Sequence, residues 1–188
     1  MKKKKYHDLL LVIDMQNIYT KNQHWACLDT EGAADNINLL VDSGICTDVI
    51  FTRFLASDSP SGVWKDYNIQ NEKINSDRWA NEMLPQLSLS LEKYPLYTKS
   101  VYSSLAIPEV KAAAKKADRV VITGVVEECC VLSTVFSLID AGIYVIYLTD
   151  GVSGLDAEKE AAARLVLSGL SPLHLSMMTV QEYINSVN

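Results

Sequence analysis

Histidine is scarce in this chain of 188 residues: His7, His24 and His174 are the only three, and none falls between residues 25 and 173. A metal centre built on imidazoles would have to do without the whole middle of the sequence. Cysteine is almost as sparse. Cys27, Cys46, Cys129 and Cys130 form no C-x-x-C pair and no zinc-ligand spacing, which argues against a structural zinc and a disulfide scaffold and makes reduced thiols in the cytosol the default. Glycine (8) and proline (5) are few, while hydrophobic residues make up 48% and charged residues 21%. Collagen-like, low-complexity and disordered classes are thereby excluded. No long apolar run occurs: the stretch 9–13 is too short for a signal core or a membrane span and runs into Asp14. Positive charge is also in deficit, with 17 Lys and Arg against 23 Asp and Glu and a net charge of −6. Nucleic-acid affinity rests largely on clustered cations, so no nucleic-acid partner is expected, and no membrane partner either. The one basic run, Lys2 to Lys5, reads as part of a solvated tail over residues 1–6. A cytoplasmic protein is expected.

At this length one core buries roughly 70% of the surface of the unfolded chain, so a single domain over residues 1–188 is the economical reading. Apolar runs alternate with helix-period segments. This is the pattern of an α/β fold in three layers, a mostly parallel, Rossmann-like sheet flanked by helices. Strands are expected at 8–14, 47–54, 95–99, 119–125, 143–149 and around 174–179. Helices fit at 32–43, closed by Gly44, at 108–117, opened by Pro108, at 130–141, closed by Gly142, and from an Asp156 cap to Ser168. Residues 55–85 are polar and aromatic (Trp64, Tyr67, Trp79) without a clean period. A connection of that length reads either as a lid or binding segment, or as a helix-bearing link with surface aromatics.

In an open parallel sheet, ligands bind beyond the carboxyl ends of the strands. The first strand ends in Asp14, the short third in Lys99, and the fourth runs through Glu127, Glu128 and Cys129 to Cys130. An acid, an amine and a thiol thus converge on one sheet edge. A thiol in the first turn of a helix gains thiolate character from the terminal N–H groups, a carboxylate can take its proton, and an ammonium offsets the charge. Asp14, Lys99 and Cys130 therefore form a candidate activated nucleophile without histidine. Taken singly, each has an ordinary alternative as turn residue, solvent-facing cation or small core filler.

Three ordered segments carry a resemblance that spans nearly the full chain: LLVIDMQN (10–17), KSVYSSL (99–105) and TGVVEECCVLST (123–134). They resemble the signatures of the isochorismatase-like cysteine hydrolase superfamily, which includes nicotinamidases and other amidohydrolases. The resemblance implies catalytic roles for Asp14, Lys99 and Cys130. Counting six residues on from Gly124 assigns the nucleophile to Cys130 rather than Cys129. It further implies a cis peptide between Val125 and Val126, an oxyanion hole from the backbone N–H groups of Val126 and Cys130, and a homo-oligomer. Relatives of the nicotinamidase type carry metal-binding histidines after the second strand, whereas this chain reads LASDSPSGVWKDYNIQ (55–70), so neither metal nor cofactor is expected. Relatives that cleave the isochorismate vinyl ether lack the cysteine.

The reading is a metal-independent cysteine hydrolase that cleaves a small amide-like C–N bond through a thioester. Two alternatives stay open: a non-catalytic thiol or redox sensor on the same fold, and an isochorismatase-type hydrolase of another small molecule. A nucleotide-binding domain is weakened by the absence of G-x-G-x-x-G and G-x-x-x-x-G-K-[ST]. Candidate contacts to the small-molecule substrate are His24, Trp25, Trp64, Tyr67, Tyr102, Glu127 and Glu128.

Overall fold

Strand β1 (Asp8–Ile13) is buried at all six positions, because both faces of the sheet are covered. Leu10 and Val12 point into one hydrophobic cluster, and Leu9, Leu11 and Ile13 into the other. That is why the run is apolar on successive residues instead of alternating. The computed structural model describes residues 6–187. Lys2 to Lys5 of the expected tail lie outside the described residues, whereas Tyr6 is no loose end: its ring lies 3.9 Å from the Arg119 guanidinium.

The remaining strands are β2 (Asp48–Phe54), β3 (Leu96–Lys99), β4 (Arg119–Val125), β5 (Tyr144–Ser153) and β6 (Leu175–Met178). They stand in the order β3-β2-β1-β4-β5-β6, and every pairing is parallel. The chain winds outward from β1 in one direction and from β4 in the other, so the crevice beyond the ends of these two strands is the switch point where such sheets bind ligands. β5 continues past the expected end at Thr149 because its register slips: Ile122 faces Tyr147 but Gly124 faces Val152.

The helices are α1 (Thr30–Ser43), α2 (Trp64–Gln70), α3 (Glu72–Asn75), α4 (Arg78–Asn81), α5 (Ser88–Leu91), α6 (Pro108–Lys116), α7 (Leu132–Asp140), α8 (Ala157–Ser168) and α9 (Val180–Val187). α1 and α9 cover one face of the sheet through Ile37, Leu40, Val180 and Tyr183. α6, α7 and α8 cover the other through Val110, Val135, Leu138 and Leu167. Each such side chain contributes about 1.5–3 kcal/mol by leaving water. Asp29 and Asp156 cap α1 and α8, and Gly44 closes α1 at a φ of 63°. None of these described helices is long and apolar enough to cross a membrane.

Other elements differ from the sequence reading as well, among them α5, which had no expected counterpart. The helix expected to open at Cys130 begins one turn earlier, as a π-helical turn over Glu127–Val131 that feeds α7. α9 had no expected counterpart. Its start is a capping box, in which Thr179 Oγ1 accepts the Glu182 N–H at 3.2 Å and Glu182 Oε2 accepts the Thr179 N–H at 2.8 Å.

Candidate active site

Asp14 follows directly on β1 with a φ of 53°, a left-handed conformation that Asp tolerates better than most residues. Its N–H donates to the Thr52 carbonyl at 3.0 Å, and its side chain is fully enclosed. Thr52 Oγ1 donates to Oδ1 at 3.0 Å and Lys99 Nζ donates to Oδ2 at 2.5 Å. Lys99, the last residue of β3, spends its other two ammonium hydrogens on the Val101 carbonyl at 3.1 Å and on Cys130 Sγ at 3.3 Å. The ammonium also lies 5.5 Å from the centre of the Phe54 ring. Three donors thus meet three acceptors, and one of these is the thiol sulfur.

The π-helical turn sets the thiol. The Val126 carbonyl accepts the N–H groups of both Cys129 (3.0 Å) and Val131 (3.2 Å), which widens the turn around Cys130. Thr134 Oγ1 donates to the Cys130 carbonyl at 2.7 Å and accepts the Ser104 N–H at 3.0 Å. Ser104 Oγ lies 3.4 Å from Thr52 Oγ1, so buried hydroxyls link the backing of the thiol to the backing of Asp14. Gly124 makes the approach of β4 to β1 possible: a Cβ there would sit 2.1 Å from the Ile13 carbonyl oxygen, at a φ of 109°. The Val125–Val126 peptide is cis.

Electrostatics at the site depart from the sequence expectation of a thiol with a depressed pKa. Burial first and the Asp14 carboxylate second push the Cys130 thiol up, with Lys99 opposing. The helix terminus does not prevail, because a nearly enclosed thiolate loses its hydration and faces a carboxylate. Burial pulls the Lys99 ammonium down, yet Asp14 and Cys130 outweigh it and leave its pKa raised. The resting site is therefore a buried ammonium beside a thiol that keeps its proton.

Above the sulfur lies a cavity of about 110 Å³ walled by Tyr19, Trp25, Phe54, Tyr67 and Tyr102, with Val126, Cys129, Cys130 and Leu155 completing it. Of the substrate-contact candidates, Trp25, Tyr67 and Tyr102 line it. Trp64 stands behind them, 5.0 Å from Tyr102 and 5.2 Å from Tyr67 between ring centres. His24 is exposed and outside the lining. Glu127 is turned away: it is wholly buried, held by Arg164 at 2.8 and 3.0 Å and by the Tyr147 hydroxyl at 2.5 Å. Glu128 is off the lining as well, its Oε1 accepting the Leu155 N–H at 3.3 Å.

Sequence reasoning missed Tyr19, Phe54 and Leu155 in the wall and Thr52, Ser104 and Thr134 behind Asp14 and Cys130. Phe54 is within reach of the same rule, since it ends β2, whereas the sequence reading takes chemistry only from the ends of the first, third and fourth strands. Gln16 was missed too. Its amide brackets Phe54, accepting the N–H at 2.8 Å and donating to the carbonyl at 3.0 Å, so β1's extension fixes the end of β2.

Residues 8–179 match the family model described as the isochorismatase domain. The chain belongs to the isochorismatase family. Among solved structures it is similar to a cysteine hydrolase from Pseudomonas syringae pv. phaseolicola, at 18% identity and a TM-score of 0.81 over 100% of this chain and 98% of that one. An isochorismatase-like hydrolase from Alkaliphilus metalliredigens matches at 20% identity and a TM-score of 0.75, covering 96% of this chain and 99% of that chain. The MAR1 ribonuclease from Caenorhabditis elegans matches at 19% identity and 0.75, covering 98% of this chain and 82% of that chain. No curated protein matches. At these identities the structures show the shared fold, and family membership supports a hydrolase. The metal site of some isochorismatase relatives does not fit this chain. Leu55, Ala56, Ser57 and Asp58 follow β2, and no group of three His, Cys, Asp or Glu among the described residues could hold a metal ion.

Proposed function

We propose that this isochorismatase-family chain is a cysteine hydrolase that cleaves a small amide-like C–N bond through a thioester, with no metal. The observation that carries this reading is the placement of Lys99 Nζ between Asp14 Oδ2 (2.5 Å) and Cys130 Sγ (3.3 Å), with Cys130 itself in the wall of the aromatic cavity. Because the thiol holds its proton at rest, the base must act as substrate arrives. Asp14 accepts the Cys130 proton while the sulfur attacks the carbonyl carbon, and the backbone N–H groups of Val126 and Cys130 receive the developing oxyanion, each worth about 3 kcal/mol. Collapse breaks the C–N bond, and Asp14 returns the proton to the leaving amine. Asp14 then takes a proton from water, whose oxygen attacks the thioester; as the tetrahedral adduct collapses the C–S bond breaks, Asp14 returns that proton to the departing sulfur, and the acid product and the resting thiol are released. Lys99 keeps its charge throughout and balances whichever partner is anionic.

Intact-protein mass spectrometry with peptide mapping, on protein incubated with small amides, ureas and carbamates, tests this. Acylation at Cys130 is expected, lost in Cys130→Ala and kept in Cys129→Ala, with turnover unaffected by chelators. An adduct on Cys129, or no adduct and no turnover across the panel, overturns it. The thiol-sensor reading draws on Cys129 sharing the cavity wall, but it leaves the buried Asp14–Lys99 pair without a task. An oxidation response that survives Asp14→Asn, in a protein without turnover, would favour it. A homo-oligomer is part of the proposal, supported by Leu165 and Val166 on α8, which are 75% and 50% exposed. Light scattering at the 20.9 kDa monomer mass at micromolar concentration would refute that part.

A further inference from the structure

The cavity above Cys130 offers a hydrogen-bond donor that the protein itself does not use. Tyr19 is 4% exposed, and its Oη makes no hydrogen bond to another described residue. Among the described residues, Glu128 Oε2 is the only fully enclosed side-chain oxygen or nitrogen without a partner. Tyr19 Oη is thus partnerless without being enclosed, and Tyr19 lines the cavity above Cys130. Burial first, then Cys130 and Asp14, hold the hydroxyl's pKa well above the ordinary value, so it stays a donor. A hydroxyl withdrawn from water gains most from an occupant that brings an acceptor.

Charge narrows the occupant further. No Lys, Arg or His lines the cavity, and Lys99 beneath it has all three donors engaged. Glu128 lies just behind the wall, bonded to the N–H of Leu155. A carboxylate placed here would lose water and find no free cation in the lining. Size sets the last limit, since an apolar cavity of about 150 Å³ holds one benzene and this one measures about 110 Å³.

On the hydrolase reading above, we propose that the site takes amides with a short, uncharged acyl group carrying a second, neutral acceptor for Tyr19, and that it rejects carboxylate-bearing analogues of the same size. Three amides matched in size separate the claims: 4-oxopentanamide is neutral with a keto acceptor, pentanamide is neutral without one, and succinamate is anionic. Ammonia release by wild type and Tyr19→Phe gives kcat/KM for each. For wild type, 4-oxopentanamide is expected about 100-fold above succinamate and about 10-fold above pentanamide. Tyr19→Phe is expected to erase the second ratio and keep the first. Succinamate turned over as well as 4-oxopentanamide overturns the charge selection and leaves the hydrolase reading standing. A keto preference that survives in Tyr19→Phe overturns the role of Tyr19. The wild-type ratios carry the charge test even if the variant does not fold. Absence of ammonia from all three overturns the proposal, and the hydrolase reading falls with it only if the broader panel also leaves Cys130 unmodified.

Discussion

Replacing Lys99 by Met removes one half of a buried ion pair and strands the other. Both side chains are completely shielded, with Nζ and Oδ2 2.5 Å apart. At an effective dielectric near 20 their attraction is about 7 kcal/mol, most of which the cost of dehydrating two ions cancels. Without the ammonium, Asp14 keeps the Thr52 hydroxyl as its side-chain donor and carries an unbalanced charge inside the fold. Breaking a buried pair in this way costs about 3–5 kcal/mol, a large share of the roughly 5–15 kcal/mol that holds a domain together. The double variant Lys99→Met with Asp14→Asn removes both charges and should recover much of the loss. Asparagine suits the position because it also tolerates the left-handed backbone of Asp14. Urea unfolding of wild type, the two singles and the double forms the cycle. A single-variant cost below about 1 kcal/mol, or singles that simply add in the double, would refute the reasoning. Since the folded pKa of Lys99 is raised, the pair's stabilisation is fully present below the lysine's unfolded value of about 10.4 and is lost as pH climbs beyond it. Lys99 also opposes the rise in the Cys130 pKa, so Lys99→Met should move the alkylation profile of Cys130, read by peptide mapping, to higher pH.

Gly124→Ala should destabilise by about 3 kcal/mol or more, since a Cβ 2.1 Å from the Ile13 carbonyl at positive φ combines overpacking with backbone strain; a thermal midpoint within a degree of wild type would contradict this. Thr52→Val, which withdraws a donor from Asp14 but touches no cavity surface, is expected to lower kcat with KM little changed, and a KM-only effect would count against a positioning role. Thr179→Ala should cost about 1 kcal/mol through loss of the α9 cap, with faster amide exchange confined to Val180–Val187 as its signature. His7 has a raised pKa, chiefly from its 2.8 Å bond to Asp48, so Asp48→Asn should bring it down toward about 6.5 in an NMR titration. The stabilisation that pairing adds is full below that value and fades as pH rises through the folded pKa; an unmoved titration would dissolve the argument.

The strands were legible because burial on both faces leaves a one-dimensional mark. Residues 9–13 and 120–122 are apolar without a break, and no surface strand would be written that way. Asp14, Lys99 and Cys130 were legible as strand-end residues and through the motifs around them. α9 could have been read from Thr179 and Glu182, a capping box in plain view ahead of Val180, Tyr183 and Ile184. What the chain alone left open depends on contacts between residues distant in sequence. Glu127 looked as eligible for the cavity as its neighbours, until Arg164 and Tyr147, 37 and 20 positions away, claimed its carboxylate. The thiol's pKa turned on enclosure and on Asp14, neither of which a helix-start rule contains. Tyr19, Phe54 and Leu155 meet in one wall only because β1, β2 and β5 end on the same edge of a sheet ordered β3-β2-β1-β4-β5-β6. Periodicity and capping are local and survive in the sequence. Charge pairing, desolvation and the shape of a cavity arise only when the sheet brings these residues together.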